Sequence, residues 1–325
     1  MFYVLSGFIL SHVYLESFGE RRFSYGGFLW ARLSRIYPVH LATLIVVGLM
    51  GAGAILLGQT LRHPVLYWPS LVPNLLLVNA WGFNTDGGWN HPAWSISAEW
   101  FAYLLFPLFA ALAWRLRRRA AAAVVGALAL LLVIYPLFAQ LAGFPLNHAT
   151  IAWGALRIVP CFTMGCATYL AWRAGTAPTA RIASVIGMAS LALCIGLAAM
   201  AAPPPLMVAS FGLLIFSFAN LTTSGSRLFS HRVGVYLGEV SFAVYMIAVP
   251  WKMLVMSGAQ KLLHLGESGL IWPLWTLYFL GVVPAAMLLH HLVERPARNA
   301  MRRLSMPRLS TAFRLRRDET SRNIA

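Results

Sequence analysis

The sequence predicts an all-α fold, a polytopic transmembrane helical bundle of about nine spans. Three observations carry that prediction. Apolar residues make up 59% of the 325 positions and charged residues 10%, whereas soluble domains carry roughly a quarter charged residues. Apolar runs of about twenty residues, long enough to cross the hydrocarbon, recur almost end to end. The basic residues gather between those runs rather than along them.

The runs fall at about 1–15, 36–57, 93–113, 120–141, 151–172, 182–201, 206–221, 235–257 and 271–293. The first opens on Phe2-Tyr3-Val4-Leu5, and the second begins at Ile36, directly after Arg32 and Arg35. The third starts at Ala93 and holds Glu99; the fourth follows Arg115 to Arg119. The fifth carries Arg157, Cys161 and Cys166, the sixth follows Arg181, and the seventh follows the prolines at 203–205. The eighth contains Glu239 and Lys252, and the last ends before Glu294-Arg295-Pro296. Residues 66–82 are rich in Leu and Trp but broken by Pro69 and Pro73, which suits a re-entrant or interfacial segment better than a span. The domain organisation is therefore one membrane domain, residues 1–299, and a basic cytoplasmic tail without apolar periodicity, residues 300–325.

If the first span runs from outside to inside, every basic residue except Arg62, Lys261, Arg157 and Lys252 falls on the cytoplasmic side. That asymmetry obeys the positive-inside rule, so the expected location is the inner membrane with a cytoplasmic carboxyl terminus. It also accounts for the net charge of +16 without nucleic acid, because no basic stretch is interleaved with aromatics outside the apolar runs. An odd span count leaves Met1 outside, with neither a charged n-region nor a cleavage site before it, so a preceding span is expected upstream. The cysteines Cys161, Cys166 and Cys194 all fall inside expected spans and read as small buried side chains. No metal-ligand, P-loop or G-x-S-x-G spacing is present.

Arg32 and Arg35 stand three positions apart on one helix face at a span threshold, where their forks suit phosphate groups. Snorkelling of the same two arginines to lipid headgroups is the competing reading. Glu99 lies roughly two turns into a span and needs a partner, a proton or a polar cavity. Ser95 and Tyr103, four residues away on either side, share its face. Arg157 and Glu239 are further intramembrane charges, and pairing with each other or with Glu99 would explain them. The histidines are scattered, with His12 and His40 as alternative bases. Segment 58–92, with Trp68, Trp81, Asp86, Trp89 and Asn90, reads as either a sugar-contact region or an interfacial anchor.

Taken in order, several segments resemble the acyltransferase 3 family of integral membrane acyltransferases. They are the run Phe2 to Leu10, Arg32-x-x-Arg35-Ile36-x-Pro38, Trp94-Ser95-Ile96-Ser97-x-Glu99 and Tyr103 to Pro107. Further on come Arg157-Ile158-x-Pro160-x-Phe162-x-x-Gly165, Leu237-Gly238-x-x-Ser241-Phe242-x-x-Tyr245 and Glu294-Arg295-Pro296. The resemblance implies transfer of an acyl group, usually acetyl, from a cytoplasmic acyl-CoA to a hydroxyl of a carbohydrate or glycolipid acceptor. Acyl-CoA is a co-substrate, and no permanently bound cofactor or metal is expected. Arg32 and Arg35, with Arg157, would hold the donor; Trp94, Ser95 and Tyr245 would touch the acceptor; Glu99 would support catalysis. The family's catalytic histidine lies on a span before the first one here, and Ala248 occupies the position of a second family histidine. Two other readings accompany this one: a transporter or flippase of a lipid-linked sugar or small amphiphile, with Glu99, Arg157 and Glu239 lining a path, and an inactive truncated acyltransferase.

Overall fold

A computed structural model describes residues 1–58, 65–83, 87–175, 180–221, 231–258 and 272–304. Among these the structure is helical with no strand: α1 (Phe2–Gly19), α2 (Tyr25–Leu56), α3 (Leu71–Leu75), α4 (Ala93–Leu104), α5 (Phe106–Leu116), α6 (Ala120–Ala142) and α7 (Gly154–Arg173) come first. They are followed by α8 (Ala180–Ala199), α9 (Pro204–Ala219), α10 (Arg232–Lys252), α11 (Trp272–Leu289) and α12 (Arg295–Leu304). Among the described residues six helices are long and apolar enough to cross a membrane, and the α4–α5 pair makes a seventh if counted as one bent span. Many of their large apolar side chains point outward: Leu49, Leu132, Val133 and Leu280 are each more than half exposed. Water would penalise that pattern, whereas lipid rewards it. The protein is an all-α, multi-pass membrane protein.

Two expected spans differ from the six in composition or length. Helix α1 is diluted by Ser6, Ser11, His12 and Glu16, and α9 has 16 residues. The run expected at 93–113 is not one straight helix; it bends by 56° between α4 and α5. Pro107 explains the bend, since it lacks an N–H and its ring opposes the carbonyl of Tyr103. At the other end, helix continues past residue 299 to Leu304, so the first residues of the expected tail are ordered helix. The rest of that tail, with Arg62, His63, Asp86 and Lys261, lies outside the described residues.

The chain divides into two units: Met1–Phe23 with Leu44–Phe242, and Ser24–Thr43 with Ala243–Ala325. The heart of the first is α7, with 72% of its apolar window buried, while the other candidate spans bury 11–33% of theirs. Helix α1 packs along it in the same direction. Gly7 lies against Phe162, His12 against Tyr169 and Trp172, and Glu16 pairs with Arg173 at 2.6 Å. Helices α4 and α5 run in the same direction as both, from Tyr3 beside Ser95 to Tyr14 beside Phe106. First, third and fifth crossings must share a direction, and these three do.

Glycine makes the α1–α7 crossing possible. A Cβ on Gly165 would sit 2.0 Å from the Val4 carbonyl oxygen and 2.8 Å from the Phe8 nitrogen, and one on Gly7 would sit 2.2 Å from the Phe162 oxygen. Those neighbours are backbone and cannot swing aside. Gly165→Ala is therefore expected to destabilise the protein by about 1–3 kcal/mol, the usual cost of overpacking. Gly126→Ala, where a Cβ meets nothing within 4 Å, is expected to be neutral or stabilising by up to about 1 kcal/mol. Thermal unfolding in detergent reads both, and equal shifts would contradict the crossing.

Residues 65–83 and 87–92 are short helix and turn rather than span. After the 3-10 turn Trp68–Ser70 and the five-residue α3, Ala80 ties the chain to the starts of α4 and α7: Ser97 Oγ accepts from the Ala80 N–H at 3.0 Å, and the Ala80 carbonyl accepts from Ala155 at 2.9 Å. In the second unit, Trp251 Nε1 donates to the Tyr278 carbonyl at 3.0 Å and joins α10 to α11. There Trp30 Nε1 donates to the Met301 carbonyl at 2.8 Å and joins α2 to α12.

Candidate active site

In the first unit the expected carboxylate is at the centre. Pro92 opens α4, where a missing N–H costs nothing, and Glu99 follows two turns in. Its side chain is buried, at 5% exposure, and Oε1 accepts from Ser6 Oγ at 3.1 Å and from the Tyr103 hydroxyl. Tyr103 is the partner expected from i+4 spacing. Ser6 comes from α1, 93 positions away, so spacing could not have found it, although the Ser6-Gly7-Phe8 motif had marked the place. Gly7 lets α1 approach α7, and Ser6 thereby reaches Glu99. Ser95 does not turn its hydroxyl to Glu99; it donates to the Pro92 carbonyl at 3.0 Å, and its own carbonyl accepts from Tyr3 at 3.4 Å.

One turn nearer the start of α4, the Arg157 guanidinium lies over the Trp94 ring, 5.4 Å from its centroid. Tyr3 meets the same indole edge-on at 6.5 Å. Gly154 presses against it as well, a Cβ there falling 3.2 Å from the ring. The pairing expected of the intramembrane charges is not found: Arg157 makes no ion pair among the described residues, and Glu239 is exposed on α10 without one. A cation–π contact in a partly desolvated place is worth about 2 kcal/mol, which holds Arg157 where a carboxylate is absent. The backbone nearby is strained: Trp89 and Trp153 take φ of +48° and +60°. Trp89 and Asn90 are buried, Trp81 donates to the Ser97 carbonyl at 3.1 Å, and Trp68 is 65% exposed, so of the described residues in that expected sugar-contact set only Trp68 faces out. Cys161, Cys166 and Cys194 are buried thiols, as their sequence positions suggest.

In the second unit Arg32 is partly buried and Arg35 exposed, one helical turn apart on α2. His40 is fully buried two turns on, with its ring 6.2 Å from that of Tyr37. His12 of the first unit is exposed, edge-on to Tyr169 and Trp172. Tyr245 is 41% exposed on α10. The structure thus brings Glu99, Ser95, Trp94 and Arg157 together in one unit, while Arg32, Arg35 and Tyr245 belong to the other. His290, Glu294 and Arg298 form a further cluster in the second unit. His290 Nδ1 is 3.0 Å from Glu294 Oε2, both side chains are almost wholly buried, and Arg298 Nη1 is 3.6 Å from Glu294 Oε1. The i, i+4, i+8 spacing could have revealed it.

A family model described as an acyltransferase domain matches residues 1–291. The acyltransferase MdmB of Streptomyces mycarofaciens is 30% identical over 329 aligned positions, which span 91% of this chain and 79% of that protein. An uncharacterized protein of Haemophilus influenzae is 25% identical over 120 residues, 35% of this chain and 49% of its own length. No solved structure matches the chain.

Proposed function

The chain belongs to the acyltransferase 3 family and is a transferase, and from that premise we propose that it moves an acetyl group from acetyl-CoA to a hydroxyl of a carbohydrate or glycolipid. The observation that carries this reading is the arginine pair: two guanidinium forks one turn apart at the foot of a 32-residue apolar helix. Two guanidinium forks on one face beside an apolar run suit an anion with several oxygens, and the positive-inside rule puts that end of the helix in the cytoplasm, where coenzyme A thioesters are found. The protein then resides in the inner membrane with its carboxyl terminus inside.

In the reaction the acceptor oxygen attacks the thioester carbonyl. The new C–O bond forms as the C–S bond breaks, the hydroxyl proton passes to a base, and coenzyme A leaves as its thiol. Arg32 and Arg35 hold its phosphates, which fixes the thioester without taking part in the chemistry. Glu99, gripped by Ser6 and Tyr103, orients the acceptor or the base. Arg157 takes a different role from the donor contact that the family resemblance implied. It stands sixteen residues before Arg173 on α7, about 24 Å along the axis, so with Arg173 at the cytoplasmic end it lies toward the outer face. There Arg157 and Trp94 serve the acceptor, Trp94 offering its ring to a sugar face, and Ser95 contributes a further acceptor contact.

The test supplies radiolabelled acetyl-CoA to inverted membrane vesicles that contain the protein and native glycolipids. Label covalently bound to the carbohydrate fraction is the expected result. A parallel sample receives radiolabelled sugar with unlabelled acetyl-CoA; vesicles that accumulate that sugar while no acetyl product forms would replace the transferase chemistry with transport.

A further inference from the structure

We propose that Arg298 is a third guanidinium of the donor site, held there by Glu294 and His290; the inference rests on the reading of Arg32 and Arg35 as phosphate ligands. The last helix presents a defined inward face. His290 and Glu294 are buried, Arg298 and Met301 are partly buried one and two turns further on, and Arg295, Arg302 and Arg303 are exposed. The turn His290–Glu294 is π-helical, a distortion that proteins keep mostly at functional sites.

Glu294 divides its carboxylate between two partners, one oxygen 3.0 Å from His290 Nδ1 and the other 3.6 Å from Arg298 Nη1. It thereby fixes Arg298 from behind while occupying little of it. A guanidinium has five N–H donors, and Arg298 Nε is buried without a hydrogen-bond partner. An orphaned, buried donor is unfavourable. An anion with several oxygens would satisfy it. A phosphate has them.

Within the second unit the last helix is tied to α2, the helix that carries the arginine pair. Trp30 Nε1 donates to the Met301 carbonyl at 2.8 Å. Trp30 is two residues before Arg32 and five before Arg35, and Met301 is three residues after Arg298, so along their helix axes Arg32 and Arg298 lie within about 5 Å of that hydrogen bond and Arg35 within about 8 Å. Coenzyme A carries a diphosphate and a separate phosphate monoester, more negative charge than two guanidinium groups neutralise. Arg298 supplies the next one, and Glu294 and His290 act as positioning residues.

The experiment measures binding of coenzyme A, and of pantetheine, which lacks its phosphates, to the full chain in lipid nanodiscs. Arg298→Gln is expected to weaken coenzyme A binding about tenfold, the loss of a charge-assisted contact, and to leave pantetheine binding unchanged. Arg298→Lys keeps the charge but not the fork, so it loses about threefold for coenzyme A and nothing for pantetheine; it is the variant read if the glutamine form does not fold. Arg295→Gln, on the exposed face, binds both as the parent does. Equal weakening of both ligands by Arg298→Gln, or no weakening of coenzyme A, overturns the assignment. Arg32→Ala separates the two levels: if it weakens coenzyme A and Arg298→Gln does not, only Arg298 is wrong, and if Arg32→Ala has no effect, the donor site itself is wrong.

Discussion

Replacing Arg32 and Arg35 together with alanine abolishes acyl transfer, a loss of about a thousandfold or more, because the donor is no longer held in its reactive position. The loss is functional and not structural. Arg35 is exposed and Arg32 only partly buried, and membrane insertion of α2 depends on the apolar residues after Ile36, which the substitutions leave alone. The double variant is therefore expected at parental levels in the membrane with an unchanged unfolding temperature. Lysine at both positions keeps the charge but loses the bidentate fork, so activity returns only in part and KM for acetyl-CoA stays raised. Labelled acetyl transfer at a series of donor concentrations measures all of this, and full activity in the alanine variant would remove the arginine assignment.

Glu99 gives the second large effect, and two substitutions separate its possible roles. Glu99→Gln keeps the shape and an oxygen that accepts from Ser6 and Tyr103, so the junction of α1 with α4 survives. It removes the carboxylate, and with it the ability to carry charge or exchange a proton. The expected result is a fall in kcat of about a hundredfold, because the charge that orients the acceptor or the base is gone, with thermal stability close to the parent. Glu99→Ala loses activity as well and also leaves a cavity and two buried hydroxyls to find new acceptors, a destabilisation of about 1–3 kcal/mol. Full activity in Glu99→Gln would make Glu99 a structural acceptor only. The kcat readout decides this, since a role in packing alone would follow stability across both variants.

Much of the fold was legible because lipid makes hydropathy a direct signal. The runs at 120–141 and 182–201 lie within a few residues of α6 and α8. The bend in 93–113 was less visible, since hydropathy averages over Pro107 and sees only Leu and Phe around it. Helix beyond residue 299 was missed for the opposite reason: Arg295–Leu304 has no apolar run, yet its Ala, Arg, Met and Leu residues are good helix formers. At the site, local spacing found what local geometry decides. Tyr103 joins Glu99 because i and i+4 share a helix face, while Ser95, equally spaced, prefers the Pro92 carbonyl because hydroxyls near a helix start bond the preceding turn. Contacts between helices left no periodic trace, so Ser6 beside Glu99 and Arg157 over Trp94 emerged only from the structure. Motif glycines were legible as marks but not as reasons; Gly7 and Gly165 acquire theirs when α1 and α7 are seen to touch backbone to backbone.

The account turns on which side of the bilayer the foot of α2 faces. Gly26→Cys places a thiol one turn and a half before Arg32, where a Cβ meets nothing within 4 Å, and the three native cysteines are buried, so a membrane-impermeant maleimide reports on the new thiol. The account predicts labelling in inverted vesicles and none in right-side-out vesicles. Labelling from the outer side alone would contradict it, because the arginine pair would then face away from the coenzyme A thioester it is said to hold.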